Sequence, residues 1–423
     1  MDGEKILIVS HAHPKFSKGG GEIAAYNMYK ELLRQGFDAY FLAAHFSDKA
    51  HHGYTPFSIV NDREILVYAT PMDYYINSAY DMRHTWKHFR ELLEMLEPDI
   101  IHFHHYMHLG LEKIRECHNY RMARPDRKIG IFLTLHEYIA ICAHNGQMVK
   151  KGSGELCYRA DYVDCATCFP ERSANDFFLR EKYIKSFFEL VDHFISPSNF
   201  LIDRYVNWGI PAEKMTMLEN GQVYDTESVA SKRKLEKGEK RSIFGYFGQL
   251  NPFKGIDILM DAVGRLDEET LKDFRLHIHG TGMSMWPQEF QDKINESFEK
   301  YSDNVTFFGK YESHELPALM AEVDWVIIPS IWWENSPLVI QEAYKFGKPL
   351  IGSDIGGMAE KIVDGVTGLH FRARNAESLA RTIERALRER DLYESLTENI
   401  KKPISIEESV DRHLEIYGID RRV

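Results

Sequence analysis

Residues 5–36 read KILIVSHAHPKFSKGGGEIAAYNMYKELLRQG, and this stretch decides the fold. The apolar run at 5–9 predicts a buried strand. Residues 22–34 carry an apolar side chain every three or four positions, which predicts a helix that stops at Gly36. A buried strand joined by a loop to an amphipathic helix is the repeating unit of a parallel α/β sheet.

The same alternation runs along most of the chain and predicts two doubly wound, Rossmann-like α/β domains that face each other across a cleft. A polar, charge-dense stretch at 220–242 interrupts it and predicts a linker. We therefore expect an N-terminal domain at 1–221, a C-terminal domain at 222–405, and a helical segment at 406–423 with the N-terminal domain as one candidate packing partner. Further strands are predicted at 39–43, 65–68, 100–103, 129–134, 193–196, 243–246, 276–278, 305–308, 326–329 and 350–351.

Composition excludes several classes of protein. The 423 residues carry a net charge of −12, which argues against nucleic-acid binding because that affinity comes from neutralising phosphates. No apolar run reaches the length of a membrane span, and the first residues lack the basic segment of a signal peptide. We expect a cytoplasmic enzyme, with the inner face of a membrane as an alternative location.

Chemistry-bearing side chains in the first half follow predicted strands. His11 follows the first strand, and Gly20 and Gly21 precede the first helix, where backbone N–H groups can approach a ligand. His104 and His136 follow two later strands. Two interpretations stay open: the histidines either line a cleft mouth or, as in the pair His11 and His13, present imidazoles to a metal ion.

In the second half, Gly248 and Lys254 lie between a predicted strand and helix, where an ammonium group can meet a phosphate. Ser336 and Pro337 predict an N-cap and first residue of another helix. Glu334 would then lie on the loop and Glu342 inside the helix, so their carboxylates could accept hydrogen bonds from sugar and ribose hydroxyls.

These motifs together resemble the retaining, nucleotide-sugar-dependent glycosyltransferases with the GT-B fold, the family numbered four. Glu334 and Glu342, with seven residues between them, match the E-x7-E signature of that family. The likeness covers nearly the whole chain. Its other matches, in chain order, are Gly19, Gly20 and Glu22, His136, residues 196–198, Asn220 and Gly221, Lys254 and Gly255, Gly280 and Gly282, Gly309, residues 353–357, Glu360 and Gly365.

The resemblance implies transfer of a sugar from a nucleoside-diphosphate sugar to a glycan or lipid-linked acceptor, in polysaccharide, glycolipid or cell-surface glycan synthesis, without a required metal. His136 and Glu334 would be catalytic. The implied donor-binding residues are Gly248, Gln249, Lys254, Gly282, Lys310, Tyr311, Asn335, Ser336, Pro337, Leu338, Val339 and Glu342. The implied acceptor-binding residues are His11, Gly20, Gly21 and His104.

Two positions depart from the pattern of the family. Gln249 stands where many members have Arg, and a neutral hydrogen bond in place of a charge-assisted one is weaker by about 1 kcal/mol. Glu137 stands where Asp is common, one methylene longer, which leaves its role open.

Two other functions compete with this one. A metal-dependent sugar hydrolase or deacetylase could use His11, His13, His104, His136 and Glu137. A non-catalytic nucleotide-sugar-binding scaffold is the second alternative, and Gln249 favours it. A basic segment at 113–128 also raises the option of a peripheral membrane contact, against the alternative of a solvated surface.

Four of the five cysteines, Cys142, Cys157, Cys165 and Cys168, fall in a glycine-containing insertion after His136. A structural Zn²⁺ held by these four thiolates would fold such a loop, and Cys165 and Cys168 have the spacing of one half of such a site. The other half lacks that spacing, so ordinary thiols or a redox pair remain alternatives. Cys117 is expected to be a buried thiol on a helix.

Overall fold

The structure, a computed structural model, describes residues 4–17, 19–46, 56–69, 72–80, 82–224, 233–235 and 239–420. The chain forms two compact units, residues 1–223 with 404–423 and residues 224–403. We predicted boundaries after residues 221 and 405. Part of the predicted linker at 220–242 lies outside the described residues.

Unit 1 is built on a largely parallel sheet with the strand order β10-β9-β8-β7-β1-β2-β4-β3, in which β3 pairs antiparallel with β4. β5 and β6 form a separate two-stranded antiparallel sheet. The strands are β1 Lys5–Ser10, β2 Asp38–His45, β3 Phe57–Asn61, β4 Glu64–Tyr68, β5 Met72–Asp73, β6 Ser78–Ala79, β7 Ile100–Phe103, β8 Gly130–Thr134, β9 His193–Ser196 and β10 Met215–Met217.

The α-helices of unit 1 are α1 Gly20–Arg34, α2 Met82–Leu96, α3 Glu112–Met122, α4 Tyr162–Cys168, α5 Ala174–Phe188 and α6 Asn199–Asn207, with a 3₁₀ turn at Ala212–Lys214. The last helix of the chain, Ile406–Tyr417, also belongs to this unit. Its Val410, Leu414 and Tyr417 are buried in one core with Ile6 and Ile8 of β1. The end of the chain therefore completes the core in which the chain begins.

Unit 2 has a six-stranded parallel sheet in the order β13-β12-β11-β14-β15-β16. Its strands are β11 Ile243–Phe247, β12 Arg275–His279, β13 Val305–Gly309, β14 Trp325–Ile328, β15 Leu350–Ser353 and β16 Gly368–Phe371. Its α-helices are α7 Ile256–Val263, α8 Glu268–Asp273, α9 Gln288–Lys300, α10 Leu316–Glu322, α11 Leu338–Lys345, α12 Gly356–Lys361, α13 Ala376–Arg388 and α14 Leu392–Asn399, with 3₁₀ turns at Pro252–Lys254 and Met283–Met285. The last helix is accordingly α15.

Both units confirm the predicted fold class of two doubly wound, Rossmann-like α/β domains with parallel sheets. The first helix begins at Gly20, two residues before the predicted start, so Gly20 and Gly21 lie in its first turn rather than in a loop. In a parallel sheet all strands end at the same edge, so the loops after β11, β12, β13 and β14 are brought together.

Candidate active site

The loops at the carboxyl edge of the sheet in unit 2 are bonded to one another through their backbones. The N–H of Leu250, after β11, donates to the carbonyl of Thr281, after β12, at 2.8 Å. The N–H of Ile331, after β14, donates to the carbonyl of Phe253 at 2.9 Å. These bonds hold the two loops that carry Lys254 and Glu334 side by side.

Glu334 lies at this edge, where three neighbouring side chains donate hydrogen bonds to it. Its Oε1 accepts hydrogen bonds from Nζ of Lys254 at 2.6 Å, from Oγ of Ser330 at 2.8 Å and from Nε1 of Trp332 at 2.8 Å. The residue is only 7% exposed. A buried carboxylate needs such partners, and here one of them is a cation. The carboxylate is therefore fixed in one orientation beside the Lys254 ammonium group.

The backbone of the same loop is also hydrogen-bonded to α12. The N–H of Gly357 donates to the carbonyl of Glu334 at 2.7 Å. A Cβ added to Gly357 would lie 1.4 Å from the carbonyl oxygen of Asn335, so only glycine fits. Oγ of Ser353 donates to the carbonyl of Ser330 at 2.8 Å. The position of Glu334 is thus set by close backbone packing as well as by its side-chain bonds.

The start of α11 differs from the prediction. Pro337 has φ −58° and ψ 125°, which is extended rather than helical, so it occupies the N-cap position and the helix begins at Leu338. Ser336 is therefore not the N-cap, and its Oγ accepts a bond from Nε2 of Gln341 at 3.3 Å. Because α11 begins at Leu338, its first amides, including that of Val339, lie at the positions where helical N–H groups lack intrahelical partners.

Glu342 lies in the second turn of α11 and is half-buried. Burial raises the pKa of its carboxyl to about 7, against a smaller opposing effect of Lys345. Burial raises the pKa of the Tyr311 phenol, and the charge of the nearby Glu342 raises it further. Tyr311 and Glu342 thus form the second polar group of this edge.

The remaining donor-side residues of the prediction also belong to unit 2. Gly248 and the exposed Gln249 follow β11, and a Cβ added to Gly282 would lie 3.9 Å from the Cβ of Gln249. Lys310 is exposed and pairs with Glu312 at 2.9 Å. The structure therefore brings Gln249 and Gly282 together and leaves Lys310 at the surface.

The histidines of unit 1 gather at the carboxyl edge of its sheet. Nε2 of His11 lies 3.4 Å from Oε1 of Glu22, and a Cβ added to Gly21 would contact His136 at 3.6 Å and His11 at 3.8 Å. Nδ1 of His104 lies 3.1 Å from Nε2 of His136. His11, Gly21, His104 and His136 therefore form one cluster.

These imidazoles are neutral at physiological pH. Burial, followed by the neighbouring His105, lowers the pKa of His11 to about 2 and that of His136 to about 3. Neutral imidazoles present one donor and one acceptor nitrogen each, so the cluster is suited to hydrogen bonding with hydroxyl groups.

The metal sites considered from the sequence are not supported. Nε2 of His13 lies 3.1 Å from Oε2 of Glu64. Across the described ranges, no group of three or more His, Cys, Asp or Glu side chains is placed to hold a metal ion. The zinc site at Cys142, Cys157, Cys165 and Cys168 stays a prediction; these four residues are partly exposed and form no disulfide. Sγ of Cys157 donates to the carbonyl of Arg159 at 3.1 Å.

Some site residues escaped the sequence analysis. Ser330 and Trp332 bond Glu334 from four and two residues before it, and polar side chains so near in sequence were a usable signal. Arg180 had none: this buried cation on α5 donates to the carbonyls of Ala140 and Tyr75, both at 2.6 Å, and so holds the loop after His136.

The basic segment predicted as an option for membrane contact is largely paired. Arg121 bonds Asp192 at 2.7 Å and Arg127 bonds Asp99 at 2.6 Å, while Lys113 is buried. Among the helices that the structure describes, none has the length and apolar character needed to cross a membrane.

Comparison with known proteins shows the family and the fold of the chain. Residues 18–222 match the family model described as Glycosyltransferase Family 4, and residues 228–403 match Glycosyl transferases group 1. The chain is 26% identical over 209 residues to the lipopolysaccharide 1,2-N-acetylglucosaminetransferase of Salmonella typhimurium, which covers 47% of this chain and 54% of the relative. Its matches span about half the length of the first curated relatives.

Solved structures are similar over nearly the full chain. Anabaena HepE in complex with UDP and glucose has a TM-score of 0.63 at 16% identity, covering 98% of this chain and 100% of that one. The sucrose-phosphate synthase of Thermosynechococcus elongatus has a TM-score of 0.68 at 17% identity, covering 98% of each chain. At these identities the likeness shows the fold.

Fold and motifs together define a protein of the glycosyltransferase class with the GT-B fold. The chain belongs to the glycosyltransferases resembling family four, with a family-four N-terminal domain and a group-1 C-terminal domain.

Proposed function

We propose that this protein transfers a sugar from a nucleoside-diphosphate sugar to an acceptor hydroxyl with retention of the anomeric configuration. The observation that carries the proposal is the cluster at the carboxyl edge of unit 2. There Lys254 bonds the buried Glu334 beside the first turn of α11, the helix that also carries Glu342.

Each polar group of this cluster suits one part of a nucleotide sugar. The Lys254 ammonium group and the first amides of α11 offer positive charge to a diphosphate. The Glu342 carboxyl suits a ribose diol, and Tyr311 and Lys310 are assigned to the base. Glu334 is assigned to the donor sugar, whose hydroxyls can donate to the carboxylate oxygen that Lys254 does not bond.

In the proposed step the bond between the anomeric carbon and the diphosphate oxygen breaks. The acceptor oxygen bonds that carbon on the same face, and its proton passes to the departing phosphate oxygen. Lys254 and the α11 amides stabilise the negative charge that grows on the diphosphate. His136 is assigned a hydrogen bond to a sugar hydroxyl, and His11, Gly20 and Gly21 are assigned to the acceptor. This route requires no metal.

We further propose that the acceptor is a glycan or a lipid-linked sugar and that the enzyme works in glycan synthesis in the cytoplasm. The named activity of the Salmonella relative supports this class.

The test starts with a thermal-shift screen of nucleoside diphosphates and their sugars, with UDP first because of the HepE complexes. Glu342→Ala should weaken nucleotide-sugar binding, and Glu334→Ala should lower turnover more than affinity. Glu377→Ala, on the exposed side of α13, is the matched control. Unchanged kinetics in both site variants would refute the donor-site assignment.

A further inference from the structure

His104 is buried against His136 and does not lie at the surface. It follows β7, is 3% exposed, and its Nδ1 lies 3.1 Å from Nε2 of His136 with the two rings stacked at 5.4 Å. Side chains that contact an acceptor directly need an exposed polar atom. The geometry therefore points to a role for His104 that acts through His136.

Of the two facing nitrogens, Nδ1 of His104 and Nε2 of His136, one carries the proton of the hydrogen bond and the other accepts it. Burial, followed by neighbouring histidines, lowers the pKa of both rings far enough that each is neutral at physiological pH. A neutral imidazole has one donor and one acceptor nitrogen, so one ring donates to the other.

The surroundings of the other nitrogen of His104 determine which ring donates the hydrogen bond. Its Nε2 is buried and has no hydrogen-bond partner in the part of the chain that the structure describes. With the proton on Nε2, a buried N–H group would be left unpaired. With the proton on Nδ1, only a lone pair is left unpaired, and buried orphan N–H groups are the rarer of the two.

We propose that His104 is a positioning residue that donates Nδ1–H to Nε2 of His136, and so fixes His136 as the tautomer with its proton on Nδ1. His136 is then a hydrogen-bond donor toward a bound sugar oxygen and not a base. The catalytic part of this inference rests on the proposed function, whereas the tautomer does not.

The ring of His104 is itself held in place. His102 lies against it with ring centroids 4.5 Å apart. Nε2 of His102 lies 2.8 Å from Oγ1 of Thr134, and its Nδ1 lies 2.6 Å from the hydroxyl of Tyr417 on α15. Both nitrogens of His102 are thus engaged, which fixes the ring that His104 contacts.

The experiment compares the unaltered protein with His104→Leu, which removes the bond, and His104→Asn, whose amide nitrogen can replace Nδ1 as donor. His118→Leu, at a half-buried position on α3, is the control. Long-range ¹H–¹⁵N spectra of histidine-labelled protein report the tautomer of His136, whose signal is assigned by its loss in His136→Gln.

We expect the wild-type His136 to carry its proton on Nδ1, the Leu variant to show exchange between both tautomers, and the Asn variant to restore the wild-type signal. In sugar transfer, the Leu variant should lose about tenfold in kcat with the donor Kd unchanged, and Asn should recover most of it.

A wild-type His136 protonated on Nε2, or the same tautomer in the Leu variant as in the wild type, would overturn the inference even if sugar transfer is found. If no transfer is found with any donor, the proposed function fails while the tautomer measurement still stands. Should the Leu variant not fold, the wild-type and Asn spectra decide.

Discussion

Donor affinity should rise with pH because of Glu342. Burial holds the pKa of this carboxyl at about 7 in the free protein. If a ribose diol donates to it, the ionised form binds better, and binding lowers the pKa. The charged or titratable neighbours are Lys345, which is cationic across this range, and Tyr311, whose raised pKa keeps it neutral.

The magnitude follows from the ionised fraction of the free protein. With a pKa of about 7, about a tenth of the carboxyl is ionised at pH 6 and about nine-tenths at pH 8. The Kd should therefore fall about tenfold between these pH values, and binding at pH 6 should release about 0.9 proton per site. His11 and His136 have pKa values too low to contribute over this range.

Titration calorimetry in buffers of different ionisation enthalpy measures both quantities. UDP-glucose is a better probe than UDP, because its diphosphate is esterified at both ends and does not titrate near neutrality. Glu342→Gln should bind with a Kd independent of pH and release no proton. A flat Kd in the wild-type protein, or the same slope in the Gln variant, would refute the contact between Glu342 and the ribose.

Three other perturbations test the same picture. Lys254→Ala should weaken nucleotide-sugar binding by about 10- to 100-fold, the range of a charge-assisted bond, and a Kd within twofold of wild type would contradict its diphosphate role. Gly357→Ala should lower the Tm and turnover together, because the added methyl group collides with the Asn335 carbonyl. Its control Gly347→Ala, with φ +64° and open space around it, should cost only about 1 kcal/mol by denaturant unfolding. Burial raises the pKa of Glu137 to about 8, so the folded state holds a proton that the unfolded state releases. Stability should therefore fall as pH rises from about 4.5 to 8. If the Tm of Glu137→Gln depends on pH as steeply as the Tm of the wild type, Glu137 is not the cause.

The central strands of both sheets could be predicted because strands covered on both faces are continuous apolar runs. The strands absent from the prediction have weaker patterns. β3 is an edge strand with three half-buried and two exposed residues, and β10 has only three residues. β16 begins with glycine and contains histidine, which dilutes the apolar signal.

The sequence placed Lys254 and Glu334 on loops at the carboxyl edge of the second sheet, but it did not show their bonds. Lys254 and Glu334 are 80 positions apart, and nothing in the sequence shows that they bind each other. The resemblance implied an acceptor contact for His104 but could not show that its ring is buried against His136, because the burial of a histidine at a strand end depends on the neighbouring strands. The helix start was misplaced since Pro337 can adopt an extended ψ as readily as a helical one.

The place of α15 has a consequence for synthesis in the cell. The ribosome completes residues 1–223 long before it makes Val410, Leu414 and Tyr417, which fill the core around β1. Until then the nascent N-terminal part has an uncovered apolar face, whereas residues 224–403 contain the whole core of unit 2. We expect the second unit to finish folding first, the reverse of the usual order of domains during translation. A stalled chain ending near residue 403 should therefore depend on chaperones and be readily cleaved within its first 223 residues.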